Sequence, residues 1–439
     1  MRAFTSLFMK ALSLAVFGTG SDVGKSVVTT ALCRLFRRRG LSVVPFKAQN
    51  LSNNSHVTWD GGEMGRSQVV QAEACGVEAH SDMNPVLLKP HAGRGMQVIL
   101  HGQPVVTGAA SDGSRLRTAA FESLERLRDA HELVLIEGSG SCAELNLRER
   151  DFANFEAAHA GDAPVVIVAD IDRGGVFAQI IGTLDCLAAC ERNRVVGFII
   201  NKFRGDAALF EDGVRILEER TGLPVLGVIP YFHGIEIDAE DAVALYRVMD
   251  PDLPLRRGRV NLACIRLPFV SNFTDFTPLE RQPSVCFHHL AKPASLHGYD
   301  AVFLPGTKST RSDLQWVHDS GWAEILTSFA REGGRVFGIC GGYQMLGEFV
   351  HDPHGFEGSP GSTRGLGLLP GETTIEERKM LARTTGKLAG TDTPVEGYEI
   401  HMGCTTRPVG APPFAVLDTR NRERISETDG AVSADGRVC

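Results

Sequence analysis

The sequence predicts an α/β protein in two parts, a doubly wound, mostly parallel sheet followed by a second α/β domain. Three observations carry that expectation. Six apolar runs in the first half are rich in β-branched residues and lack period-2 alternation, the pattern of strands covered on both faces. Amphipathic stretches separate them, as the crossovers of a parallel sheet require. From Asp250 to Gly258 the apolar pattern stops and proline and charge cluster, before strand-like runs resume. At 439 residues the chain also exceeds what one core ordinarily supports.

The first strand is Leu12–Phe17. The stretch Arg2–Phe17 has the basic and apolar character of a secretion signal. It runs straight into a glycine loop that cleavage would destroy, so a buried strand is the reading adopted. Met9 offers a second start, which would make the first eight residues a dispensable tail. After the loop Gly18–Ser26 comes a helix, Lys25–Arg39, closed by Gly40. The other strands of this domain are Val43–Phe46, Leu133–Ile136, Pro164–Ala169, Val195–Ile200 and Val225–Ile229. We place the first domain at 1–250, a linker at 251–258 and the second domain at 259–439. There, strands are expected at Val260–Ile265, Ala301–Leu304 and Arg335–Ile339, with one helix from about Ser312 to Arg331 between the last two.

Composition narrows the function. The formal charge of −8, without a long basic run, argues against nucleic acid or an anionic membrane surface as partner. No apolar run approaches the ~18 residues of a membrane span. Of ten cysteines, the closest pair, Cys186 and Cys190, is spaced C-x3-C, and no cysteine–histidine cluster has zinc spacing. Nine of the ten read as buried free thiols of a cytoplasmic protein.

The tenth belongs to one of two motifs that carry chemistry. The first motif is Gly18-Thr19-Gly20-Ser21-Asp22-Val23-Gly24-Lys25-Ser26, between a strand and a helix. That context suits a phosphate loop, although the first glycine stands one residue too early for the strict form. Gly20, Asp22 and Gly24 would shape the cradle, Lys25 would reach the β/γ-phosphates of ATP, and Ser26 would ligate Mg²⁺. Glu137 and Asp170 end strands and are the further Mg²⁺ candidates, with Asp172 beside them; each reads equally as a helix cap or turn acid. Lys47 could neutralise a transferring phosphoryl group, and Asn201, followed by Lys202, could face the nucleotide base.

The second motif is Gly338-Ile339-Cys340-Gly341-Gly342-Tyr343-Gln344. A cysteine on a strand-to-helix elbow needs flanking glycines, and a helix start is expected to lower its thiol pKa. The N–H groups of Gly341 and of Gly306, in the turn Leu304–Lys308, are candidates for an oxyanion hole. A thiolate nucleophile wants a histidine base, and His401 is the last histidine in the chain.

At these residues the chain resembles the cobyric acid synthases, glutamine-dependent amidotransferases of cobalamin biosynthesis. Gly18–Ser26 is similar to the phosphate loop of the dethiobiotin synthetase group, and Gly338–Gln344 to the class I glutaminase elbow. Lys47–Asn54, Ser271–Phe276 and Tyr398–Gly403 resemble further family segments. The resemblance spans the whole chain. It implies a P-loop domain followed by a class I glutamine-amidotransferase-like domain, with Cys340 as nucleophile and Gln344 against bound glutamine. It also implies Asn50 at the substrate, ATP and Mg²⁺ as cofactors, and a corrinoid, adenosylcobyrinic acid a,c-diamide, as substrate. Its b, d, e and g carboxylates would become amides with nitrogen from glutamine or ammonia. Two alternatives stand beside this reading: an a,c-diamide synthase-like amidoligase, and a P-loop switch ATPase with a partner-binding second domain. The family's glutaminase histidine lies in a Gly-Thr-Tyr-Leu-His-Gly segment that would follow Asp435–Cys439, while His401 belongs to a separate family motif. The sequence therefore reads as truncated, and the 439-residue chain is expected to use ammonium better than glutamine.

Overall fold

A computed structural model describes residues 10–92, 95–105, 113–232, 234, 237–238 and 255–439. The tail before Met9 and linker residues 251–254 lie outside the described residues. The chain divides into two compact units. One gathers Met1–Asn50, Met64–Leu87 and Val98–Asp238, and the other Leu51–Glu63, Leu88–Gln97 and Ala239–Cys439.

The first unit is built on a six-stranded parallel sheet. Its order is Val225–Pro230, Val195–Phe203, Val165–Asp170, Leu12–Gly18, Leu133–Glu137, Val43–Phe46. All six runs read from the sequence are here as strands. The sheet's interior is fully buried at Ala15, Val16 and Phe17, and at Val134, Leu135 and Ile136, because helices cover both faces. Leu12–Gly18 sits mid-sheet, paired with Leu133–Glu137 on one side and Val165–Asp170 on the other. The chain departs from this strand to one edge and later returns to the other, so the strand ends at a topological switch point, where such sheets bind ligands. The helix Lys25–Arg38 leaves from there, with Arg37 and Arg38 in its last turn complementing the helix dipole.

Residues 260–429 of the second unit form two of the sheets. A parallel sheet orders Val285–Leu290, Val260–Ile265, Ala301–Leu304 and Arg335–Gly338. A second, mostly antiparallel sheet runs from Gly361–Arg364 through Phe349–Asp352, Glu372–Leu388 and Ala415–Arg420 to Glu423–Asp429, and Pro394–Thr406 also pairs with Glu372–Leu388. The single helix expected from Ser312 to Arg331 is two helices, Thr310–Asp319 and Trp322–Arg331. Gly321 breaks it in the left-handed conformation at φ 89°. The break lets Trp322 turn fully into the core beside Leu314, Val317 and Leu326.

Candidate functional site

In the first unit the loop after the central strand doubles back on itself. Asp22 and Gly24 both take left-handed angles, at φ 59° and 101°. A Cβ on Gly24 would lie 2.1 Å from Asn201 Nδ2, so only glycine fits there. Lys25 opens the helix almost fully buried, and its ammonium donates to the carbonyls of Gly20 at 2.8 Å and Gly140 at 2.7 Å. The lysine thus lies along the loop, with its charge held where backbone carbonyls converge.

Glu137 is the hub. It is fully buried at the end of its strand, where the register pairs it with Val16. Its Oε1 accepts from Ser26 Oγ at 2.8 Å and from Lys47 Nζ at 3.1 Å, and its Oε2 accepts from Gln71 Nε2. Three residues singled out from the sequence, Ser26, Lys47 and Glu137, therefore meet at one carboxylate, and Gln71 joins them unforeseen. A buried Lys–Glu pair of this kind is costly to break from one side only. Glu137→Gln keeps the shape but removes the charge that faces Lys47. It is expected to lower unfolding free energy by about 1.5–3 kcal/mol, read by urea denaturation.

Asp170 and Asn201 are engaged elsewhere. Asp170 is buried and accepts from Lys202 Nζ at 2.7 Å, with Arg173 at 3.9 Å. Lys202, itself left-handed at φ 61°, also donates to the Asp22 carbonyl at 2.5 Å. Asn201 Nδ2 donates to the Val23 carbonyl at 2.8 Å. Both strand-end residues brace the phosphate loop from outside. Asn50 is buried and donates to Gln68 Oε1 at 3.0 Å.

In the second unit Cys340 stands between the strand Arg335–Gly338 and the helix Gly341–Leu346 at φ 52°, ψ −113°. For a non-glycine residue that is stored strain, held by what surrounds it. A Cβ on Gly338 would meet Tyr343 Cα at 2.5 Å, and one on Gly342 would meet the Leu304 carbonyl oxygen at 2.0 Å. The glycines around Cys340 are required by space. Gly342→Ala must push the elbow off the Leu304–Pro305 turn, and about 1–3 kcal/mol of lost stability is expected, measured by thermal melting.

The turn that follows Leu304 packs on the elbow. A Cβ built on Gly306 would lie 3.6 Å from Cys340 Cβ, and one on Gly341 would lie 2.6 Å from Thr307 Cγ2. Both oxyanion candidates thus lie next to Cys340. Gln344 is buried, accepts from Thr310 Oγ1 at 3.3 Å and packs against Gly403. Cys340 Sγ donates to the Ile400 carbonyl at 3.5 Å.

One expectation is reversed. The Cys340 thiol is raised, first by desolvation and then by the Glu357 carboxylate; the Gly341 N–H, Lys89 and Lys379 pull the other way. The six-residue helix behind it is too short to outweigh the crowding. The residue still keeps an exposed face, so it lies in a crowded cleft rather than in the core. His401 is turned to its own strand: Nδ1 is 2.9 Å from the Gly403 carbonyl and Nε2 is 3.8 Å from Glu399. Desolvation disfavours its charged form, but Glu399 and the Gly403 carbonyl outweigh it and raise the imidazole.

Around Cys340 lie charged residues that the sequence did not single out. Glu63 is fully buried, and its Oε1 accepts from Lys89 Nζ at 2.6 Å and from Ser55 Oγ at 2.7 Å. Its Oε2 accepts from Lys379 Nζ. Despite desolvation, the two ammonium groups hold the Glu63 carboxyl far below the usual range. Glu357 accepts from the Arg311 backbone N–H at 3.2 Å, and burial raises it. Burial also pushes Asp313 up to about 7, against its hydrogen bonds from Thr307 and Phe269. Scattered single charges give no local pattern that a sequence reading could catch.

Residues 14–243 match the CobQ/CobB/MinD/ParA nucleotide binding domain, and residues 261–439 match the CobB/CobQ-like glutamine amidotransferase domain. The chain is 54% identical over 430 residues to a protein of Chlorobaculum tepidum named cobyric acid synthase, covering 97% of this chain and 86% of that one. Identity is 56% to a namesake from Chlorobium phaeobacteroides strain BS1, covering 97% and 87%. With that of Paracoccus denitrificans it is 50% over 432 residues, again covering 97% and 87%. No helix among the described residues is long and apolar enough to cross a membrane.

Proposed function

The chain belongs to the cobyric acid synthase family, and from that premise we propose that it amidates the b, d, e and g side-chain carboxylates of adenosylcobyrinic acid a,c-diamide. ATP activates each carboxylate as an acyl phosphate, and ammonia, free or released from glutamine, displaces the phosphate. We assign the ATP-dependent half to 1–250, the glutaminase half to 259–439 and the connection to 251–258. The free state of all ten cysteines fits a reducing cytoplasm.

The observation that carries the reading is the strained elbow at Cys340 in the same chain as the Ser26–Glu137–Lys47 node. A switch ATPase would need the node and not the elbow. At the node, Ser26 Oγ and the Glu137 carboxylate are hard oxygen donors already 2.8 Å apart, a pairing that fits Mg²⁺. When bound, the ion would neutralise charge on the transferring phosphoryl group. Lys25 and Lys47 would hold the phosphate oxygens from the protein side. In the second unit the Cys340 sulfur attacks the glutamine carboxamide, and the Gly341 and Gly306 N–H groups receive the developing oxyanion. Asn50 and Gln344 would contact the corrinoid and glutamine, respectively.

Incubation with ATP, Mg²⁺, the a,c-diamide and either ammonium or glutamine tests this by mass spectrometry. Four successive amidations, each matched by one ATP hydrolysed, are expected. ATP turnover indifferent to the corrinoid would overturn the proposal. Glu137→Gln is expected to raise the half-saturating Mg²⁺ concentration by about tenfold, one lost charged ligand. An unchanged metal titration would remove Glu137 from the metal site.

A further inference from the structure

Beside Cys340 the second unit gathers lysines that outnumber the carboxylates paired with them. Lys89 and Lys379 have side chains only 3% and 4% exposed, and both are bound to the single carboxylate of Glu63. Lys308 is half-buried on the turn that carries Gly306. Among the described residues its ammonium has no hydrogen bond and no ion pair within 4 Å. It feels Lys89, Glu357, Glu63 and Cys340 only through space. Glu357, a second carboxylate acting on it, is itself shifted toward its neutral form. Two buried ammonium groups thus share the Glu63 carboxylate, while Lys308 has no carboxylate within ion-pair distance among the described residues. Surplus buried charge without a counter-ion is expensive, and evolution normally removes it by pairing or by neutral replacement. Burial and mutual repulsion depress Lys308, and depress Lys379 to about 8 against the pull of Glu63.

We propose that Lys308, on the turn that packs against Cys340 and within electrostatic reach of Lys89 and Lys379, forms a carboxylate-binding site beside Cys340. Glu63 fixes the two inner lysines in place, and the Lys308 ammonium meets the carboxylate of an incoming substrate. The identity of that substrate rests on the function proposed above; the charge selectivity of the thiol cleft does not. The carboxylate comes either from the amino-acid group of glutamine or from a corrinoid side chain.

Alkylation of Cys340 tests the site without requiring amidation. The thiolate displaces iodide from iodoacetate or iodoacetamide, forming a thioether, and the thiol proton goes to buffer. Peptide mass spectrometry of the full-length protein compares the two rates at Cys340 with those at the exposed Cys404. The iodoacetate-to-iodoacetamide ratio at Cys340 is expected to exceed that at Cys404 by about fivefold at low salt and to fall toward it at high salt. Lys308→Met should bring the two ratios together, and Lys308→Arg should keep them apart. Protection from iodoacetamide by glutamate, but not by the α-amide of glutamine, would identify the amino-acid carboxylate. Protection by the corrinoid acid, but not by its amidated product, would identify the corrinoid. Equal ratios at Cys340 and Cys404 in the unmodified protein overturn the site, whatever the variants do. A persistent charge preference alongside absent amidation would instead count against the proposed function alone.

Discussion

Lys25→Ala is expected to abolish ATP-dependent amidation with glutamine and with ammonium alike. The buried ammonium of Lys25 is held by the Gly20 and Gly140 carbonyls at the mouth of the central strand. Phosphate oxygens arriving at the loop would meet that charge at the start of the helix. Removing a preorganised charge of this kind costs about 10²–10³-fold in turnover. Glu137 and Lys47 still pair with each other in the variant, so the sheet keeps its polar node. Thermal unfolding should therefore move little while the rate collapses from both nitrogen sources. Loss with one donor only would mean that Lys25 serves nitrogen delivery and not the nucleotide. Retained turnover with both would remove the phosphate loop from the reaction.

The central sheet was legible because parallel strands covered on both faces leave one signature, a continuous β-branched run, as at Pro164–Ala169. The antiparallel sheet of the second unit leaves none. Glu372–Leu388 shifts register between Ile375 and Met380, which scrambles its alternation, and Glu423–Asp429 is exposed almost throughout. Gly321 was legible as a glycine but not as a helix break, because the apolar period continues on both sides of it. At the sites, residues next to glycine turns could be found, since the turn declares itself: Lys25, Ser26, Cys340 and Gly341 are of this kind. Glu63, Lys89 and Lys379 could not. Each reads as a solvated charge, and they meet only because the fold joins positions 316 residues apart. The expected acidity of Cys340 failed for a related reason. A local motif specifies the elbow, whereas the crowding that desolvates the sulfur is supplied by the fold around it.

Cys340→Ser should separate the two nitrogen sources. Serine keeps the volume and can adopt the same strained angles, with Gly338 and Gly342 still fitting closely around it. Its hydroxyl is a far weaker acid than a thiol. Glutamine-dependent amidation is expected to fall by about 10⁴-fold or more, the scale of losing a covalent nucleophile. Amidation from ammonium should persist, because the Ser26–Glu137–Lys47 node is built within the first unit. The readout is product formation from each donor at matched ATP and corrinoid concentrations. A parallel loss of both activities would mean that the elbow supports more than nitrogen release. Undiminished glutamine use would require a different nucleophile. Failure of the substituted chain to fold would show instead in the melting curve, which for a one-atom change in a cleft with an exposed face should shift by only a few degrees.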